Sequence, residues 1–159
     1  MSQSNVVSQW LPCPVVFVST ALGEKRDIMT ATAMFISEKE PLLAISVAKG
    51  HLTAHLIDQA GGFILILASE SQKELVWQLG SIKGGEEDKF KLFSINTLPS
   101  KPGKPLIPAD SASWLECQVV SHQEINSYNL VIARVVNQED LNNPPLIWQK
   151  QNLFALKPL

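Results

Sequence analysis

Apolar residues in the first half of the chain come in short runs, each ended by glycine, proline or charge. "PVVFVST", Pro14 to Thr20, is a β-branched run followed by "ALGEKRD", where Gly23 and the charges predict a hairpin turn. In "DIMTATAMFIS" the alternation puts Ile28, Thr30, Thr32, Met34 and Ile36 on one strand face and Met29, Ala31, Ala33 and Phe35 on the other. A turn at "EKEP" leads into "LLAISVA", a continuous apolar strand. The period then changes: "HLTAHLIDQ" predicts a short helix with Leu52, Leu56 and Ile57 on one side. "FILILAS", Phe63 to Ser69, is the most apolar strand of the chain. "SESQKELVWQLG" predicts a second helix, with Ser71 and Glu74 at capping-box spacing and Gly80 as its stop.

Glycine, proline and charge make loops of "SIKGGEEDKF" and "LPSKPGKPLIPADSA", whereas "SWLECQVVSHQEI" and "NLVIARVVNQ" read as paired strands separated by "NSY". Alternating strands this short need closure to protect their edges. The expected fold class is therefore mainly β: a mostly antiparallel barrel of about six or seven strands with two short helices packed outside. No internal repeat, linker or low-complexity segment divides the chain.

Composition changes this picture little. A chain of 159 residues, 45% hydrophobic and 18% charged, suits one domain, 1–159, with a single sizeable core. A net charge of -2 and a pI near 5.9 supply no basic face, so neither nucleic acid nor a membrane is an expected partner. No apolar run reaches the roughly 18 residues a membrane span needs. "MSQSNVVSQW" lacks the basic start and apolar stretch of a signal peptide, and Cys13 and Cys117 form no recognisable spacing, so a reduced, cytoplasmic protein is expected.

The chemistry concentrates between Arg26 and Thr53. Alanines on one face of a strand let a planar ligand approach the backbone, and threonines on the other can bond its polar oxygens. Lys49, Gly50, His51, Leu52 and Thr53 follow a strand directly and open a helix, where free N–H groups and the positive dipole end favour a phosphate. Lys49 would add a charge-assisted contact. Thr30 and Thr32 are equally good strand formers, and Gly50 and Thr53 are ordinary at a helix start. His51 and His55 could share a metal, but no third ligand is close in sequence, and a zinc site is set aside. Cys117 reads as a buried thiol, and Trp77, Trp114 and Trp148 as core or interface residues. Spacing alone stops at a barrel with a phosphate pocket.

The order of six segments carries more. "PVVFVST", "DIMTATAMFISEKEP", "AISVAKGHLTAHLI", "EDKF", "PLIPADSASWLECQVV" and "SYNLVIARVV" resemble, in that order from about Val7 to Val136, the flavin reductase-like, FMN-binding split-barrel family. The resemblance implies a flavoprotein oxidoreductase that passes electrons between small-molecule donors and acceptors, and the chain's one phosphate cradle, with no second glycine-rich turn for a diphosphate, favours FMN over FAD. The resemblance also implies a homodimer with each flavin near the interface. Carried over, Met29, Thr30, Ala31 and Thr32 would line the isoalloxazine and ribityl chain. Ser46, Val47, Ala48, Lys49 and Thr53 would hold the ribityl tail and phosphate, with Ser37 near that end. Phe90 would close the slot from a loop or from the partner chain.

Two departures stand out. Asp27 replaces the family's asparagine before "MT", and Asn126, Ser127 and Tyr128 replace a "GDH" turn whose histidine the family associates with nicotinamide. No triad or catalytic acid emerges, so catalytic residues stay unassigned. The alternatives are an electron carrier without nicotinamide reductase activity and a barrel that has lost its flavin and serves only in interactions.

Overall fold

The structure is a computed structural model that describes residues 7–85 and 87–159. The first six residues of the stretch read above for a signal peptide lie outside the described residues. The strands are β1 (Cys13–Leu22), β2 (Lys25–Ser37), β3 (Leu42–Ala48), β4 (Gly62–Leu67), β5 (Ser113–Ile125), β6 (Tyr128–Asp140), β7 (Leu146–Gln149) and β8 (Asn152–Ala155). The helices are α1 (Leu52–Ala60), α2 (Lys73–Ser81) and α3 (Lys89–Leu92).

The sheet runs β2-β3-β6-β5-β4-β1-β7-β8, and a further β2–β1 pairing closes its first six strands into an antiparallel barrel. The β7–β8 hairpin is attached outside it, through Cys13 opposite Trp148 and Pro14 opposite Ile147. Closure leaves no free edge within the six-stranded ring. Among the described residues no helix is long and apolar enough to cross a membrane.

Period-two alternation splits the core into two layers. Inside the barrel pack Val16, Val18, Ile45, Val47, Phe63, Leu65, Cys117 and Val131, with Ala54 and Ile57 of α1 closing one end. Outside pack Phe17, Ile28, Ile64 and Ile66, covered by Val76 and Leu79 of α2, Phe90 of α3 and Leu146 of the hairpin. The "FILIL" run is thus apolar throughout because both its faces are covered within one chain. Full burial of a side chain such as Phe17 contributes about 1.5–3 kcal/mol.

Two expectations are corrected in α2. The reciprocal cap is Ser69 with Gln72, whose Oε1 accepts the Ser69 N–H at 3.0 Å, and not Ser71 with Glu74. A 3-10 turn over Glu70–Gln72 precedes the helix, and its end at Ser81 places Gly80 inside the last turn. The loop expected around "EDKF" contains α3, whose Asp88 side chain accepts the Phe90 N–H at 3.0 Å.

Candidate cofactor cleft

An open cleft of about 730 Å³ lies on the outer face of β2 and β3, beside α2. Outward-pointing Thr30, Thr32, Ser46 and Ala48 form its floor. Alternation dictates this: the intervening Ile45 and Val47 of β3 fill the barrel. Met29 and Ala31 border the cleft, but their side chains pack on the barrel core. The threonine face, not the alanine face, is the one that opens onto the cleft.

Gly80 and Ser81 of α2 give one wall its small surface, and Trp77 stands above them, half exposed. Trp77 meets Trp148 of β7 edge to face, with ring centroids 5.2 Å apart and planes at 61°. Such pairs add about 0.5–1.5 kcal/mol beyond their burial. The wall is tied to the floor by the Thr30 hydroxyl, which donates to the Val76 carbonyl at 2.8 Å. Toward the cleft Thr30 can therefore only accept. Tyr128 of β6, opposite Ala48 in register, stands at the other side.

His51 closes one end of the cleft, immediately before α1. It is the N-cap, extended at φ -77 and ψ 144, and its side chain makes no capping hydrogen bond, which leaves the first N–H groups of α1 available. Gly50 supplies the preceding turn at φ 84, a conformation few other residues adopt.

The residues carried over from the family pattern divide. Met29, Thr30, Ala31, Thr32, Ser46 and Ala48 come together in the cleft. Val47 is fully buried inside the barrel, because its neighbours Ser46 and Ala48 take the outer face. Thr53 is also fully buried, and its hydroxyl donates to Asp27 Oδ2 at 2.7 Å. Ser37 donates to the Glu40 carbonyl in the β2–β3 turn, away from the lining. Lys49 reaches Glu124 Oε2 at 3.0 Å on the surface. Phe90 lies in the outer core layer with the Arg26 guanidinium 5.4 Å from its ring centre.

Trp77, Trp148, Gly80, Ser81 and His51 are cleft residues that the pattern did not single out as ligand contacts. Trp148, like Trp114, packs against the outer core layer as expected, while half-exposed Trp77 meets Trp148 to form an aromatic wall of the cleft. Among the described residues no cluster of three or more His, Cys, Asp or Glu could hold a metal.

Residues 8–157 match the Flavin reductase like domain, and the chain belongs to that family. It is 30% identical over 120 residues to the uncharacterized protein YddH of Escherichia coli (strain K12), covering 72% of this chain and 62% of YddH. The chain thus spans less than two thirds of that curated relative. Among solved structures, flavoredoxin from Methanosarcina acetivorans superposes with a TM-score of 0.83 at 16% identity, covering 100% of this chain and 92% of that one. An FMN-binding protein from Thermus thermophilus, with bound p-hydroxybenzaldehyde, gives 0.82 at 19% identity, covering 98% and 92%. These two likenesses are of fold.

Proposed function

We propose that the protein is an FMN-dependent oxidoreductase of the flavin reductase type, and that it works as a homodimer in the reducing cytoplasm. The observation that carries this reading is the make-up of the cleft. A small, hydroxyl-lined floor lies between an aromatic wall and an uncapped helix start, on a barrel that belongs to the family.

These residues fit the cofactor. Trp77, Trp148 and Tyr128 would flank the ring system, Thr30, Thr32 and Ser46 would meet its polar atoms and ribityl chain, and the first turn of α1 would take the phosphate. Bound flavin supplies the two-electron chemistry, while the chain supplies position and electrostatics. Lys49 can add its charge at small cost, since its exposed pair with Glu124 is worth only about 0–1 kcal/mol. A single phosphate cradle favours FMN over FAD.

Beyond Thr32 the same strand exposes Met34 and Phe35, 67% and 72% accessible, followed by exposed Ile36. Met34 shares the strand face of Thr30 and Thr32, so exposed apolar surface continues from the cleft floor, which supports pairing of two copies beside it. Light scattering then gives twice the 17.5 kDa chain mass. Free Cys13 and Cys117 are in keeping with a reducing compartment.

A second reading, an electron carrier that does not use nicotinamides, is favoured by Tyr128, which stands in the cleft where the family pattern has histidine. Anaerobic mixing of the FMN-loaded protein with NADH or NADPH separates the two. Bleaching that supports turnover with an added acceptor establishes the reductase. Bleaching by dithionite but by neither nicotinamide excludes the nicotinamide reductase and leaves the carrier reading.

A further inference from the structure

Asp27 points into the barrel end beneath α1, and its side chain is 4% accessible. Its Oδ1 lies 3.1 Å from Lys89 Nζ, and that ammonium, 3% accessible, also donates to the Ile28 carbonyl at 2.8 Å. Its Oδ2 accepts the Thr53 hydroxyl at 2.7 Å. Gly84, just after α2, lies against the same group: a Cβ there would collide with the Asp27 carboxylate. The carboxylate, carried on β2, is therefore bonded from α1 and α3 and closely covered by Gly84.

Two of these contacts, those to the Ile28 carbonyl and from the Thr53 hydroxyl, and the glycine sit beside a piece of the cleft. Ile28 precedes Met29 and Thr30 of the floor, Thr53 lies in the first turn of α1 next to His51, and Gly84 lies just beyond Ser81 of the wall. A buried ion pair is weak evidence for stability, because desolvating both charges offsets most of their attraction, whereas removing one partner leaves a charge stranded.

Resting on the flavin reading above, we propose that Asp27 and Lys89 are positioning residues. Through the backbones of β2, α1 and the α2–α3 connection they set the spacing of floor, wall and helix start, and with it the affinity for FMN. Neither residue lines the cleft.

The test uses the full chain with FMN as ligand, at a temperature where far-UV circular dichroism shows every variant folded. Asp27→Asn strands the lysine, Lys89→Met strands the carboxylate, Asp27→Asn with Lys89→Gln restores a neutral hydrogen-bonded pair, and Thr53→Val removes one hydroxyl with little change in shape. The single charge variants should lose about 10-fold or more in FMN affinity, the usual range for a group that orients a binding residue, and the double variant should recover most of it. Thr53→Val should weaken FMN in the same direction, and it carries the test if the charge variants do not fold. Arg26→Gln removes the neighbouring pair with Asp88 and should lower the melting temperature while leaving affinity unchanged.

Tryptophan emission and acrylamide quenching of the unliganded proteins give a second readout, since Trp77 and Trp148 form the wall. It should change in the single variants and return in the double. Charge variants that melt earlier yet keep wild-type affinity and emission would overturn the proposal. Wild type that binds no FMN would instead overturn the flavin reading, and the emission series would still decide whether the pair sets the wall.

Discussion

Replacing Trp77 by alanine separates the aromatic wall from the rest of the fold. A fully buried tryptophan costs about 3–5 kcal/mol to truncate. Trp77 is 50% exposed, so about half of that is at stake, including its edge-to-face contact with Trp148. Helix α2 keeps Val76 and Leu79 in the core and the Thr30 bond to the Val76 carbonyl. The loss in stability should therefore be about 1.5–2.5 kcal/mol, or roughly 3–10 °C in melting temperature for a chain of this size. Ligand binding should suffer separately. Stacking of a planar heteroaromatic ring on an aromatic side chain is worth about 1–3 kcal/mol by alanine substitution, which is a loss of about 5- to 150-fold in affinity.

Because Trp77 faces the ring system in this account, FMN and riboflavin should weaken equally, and Trp77→Phe should recover most of the affinity. Calorimetric titration of both flavins into wild type and the two variants measures this. Unchanged affinity in Trp77→Ala, together with the expected drop in melting temperature, would refute the reasoning and leave the tryptophan pair a purely structural contact.

Three further outcomes follow from other parts of the molecule. If Tyr128 occupies the space in which a histidine orients nicotinamide, flavin bleaching by NADH should be slow in wild type and on the order of 100-fold faster in Tyr128→His, the scale of a 1 Å misplacement; rapid wild-type bleaching, unchanged in the variant, would contradict it. Burial, aided by the Glu116 charge, pushes the Cys117 thiol up to about 12, so Ellman's reagent at mildly alkaline pH should modify Cys13 alone until denaturant exposes the second thiol. Partial burial raises the Asp88 carboxyl, but the Arg26 guanidinium and the N–H groups of Phe90 and Lys91 outweigh it and hold the group below the usual carboxylate range. A carboxylate depressed on folding stabilises the native state above its unfolded pKa and ceases to do so as pH falls through the folded one. Asp88→Asn should thus destabilise the protein at neutral pH, by an amount that shrinks below about pH 4 in denaturant titrations.

The barrel was legible because each of its strands buries at least one face, and period-two alternation records that burial directly. "SWLECQVVSHQEI" coincides with β5 and "LLAISVA" with β3. The β7–β8 hairpin was not legible: its strands have four residues each, and its turn uses Lys150 and Gln151 at φ 51 and 60, where asparagine and glycine would have given the signal. The aromatic wall followed it into obscurity, since Trp148 reaches Trp77 only through that hairpin. Capping-box spacing occurs twice, at Ser69/Gln72 and Ser71/Glu74, and spacing alone cannot choose between them; the contact of the Ser69 hydroxyl with the Asp110 carbonyl belongs to the tertiary fold. Thr53 illustrates the same limit. A hydroxyl in the first turn of a helix after a lysine and glycine suits a phosphate, but here the turn of α1 carries it inward to Asp27. The exchange of asparagine for Asp27 was visible in the sequence, whereas its partner Lys89 was not, because only the folded chain brings them together.

Calorimetric titration of FMN into the purified full chain, with riboflavin titrated in parallel, tests whether the cleft is a flavin site. One FMN should bind saturably per chain, more tightly than riboflavin if the start of α1 takes the phosphate. A natively folded protein that binds neither flavin would contradict the flavin reading, and equal affinity for the two would remove α1 from the site.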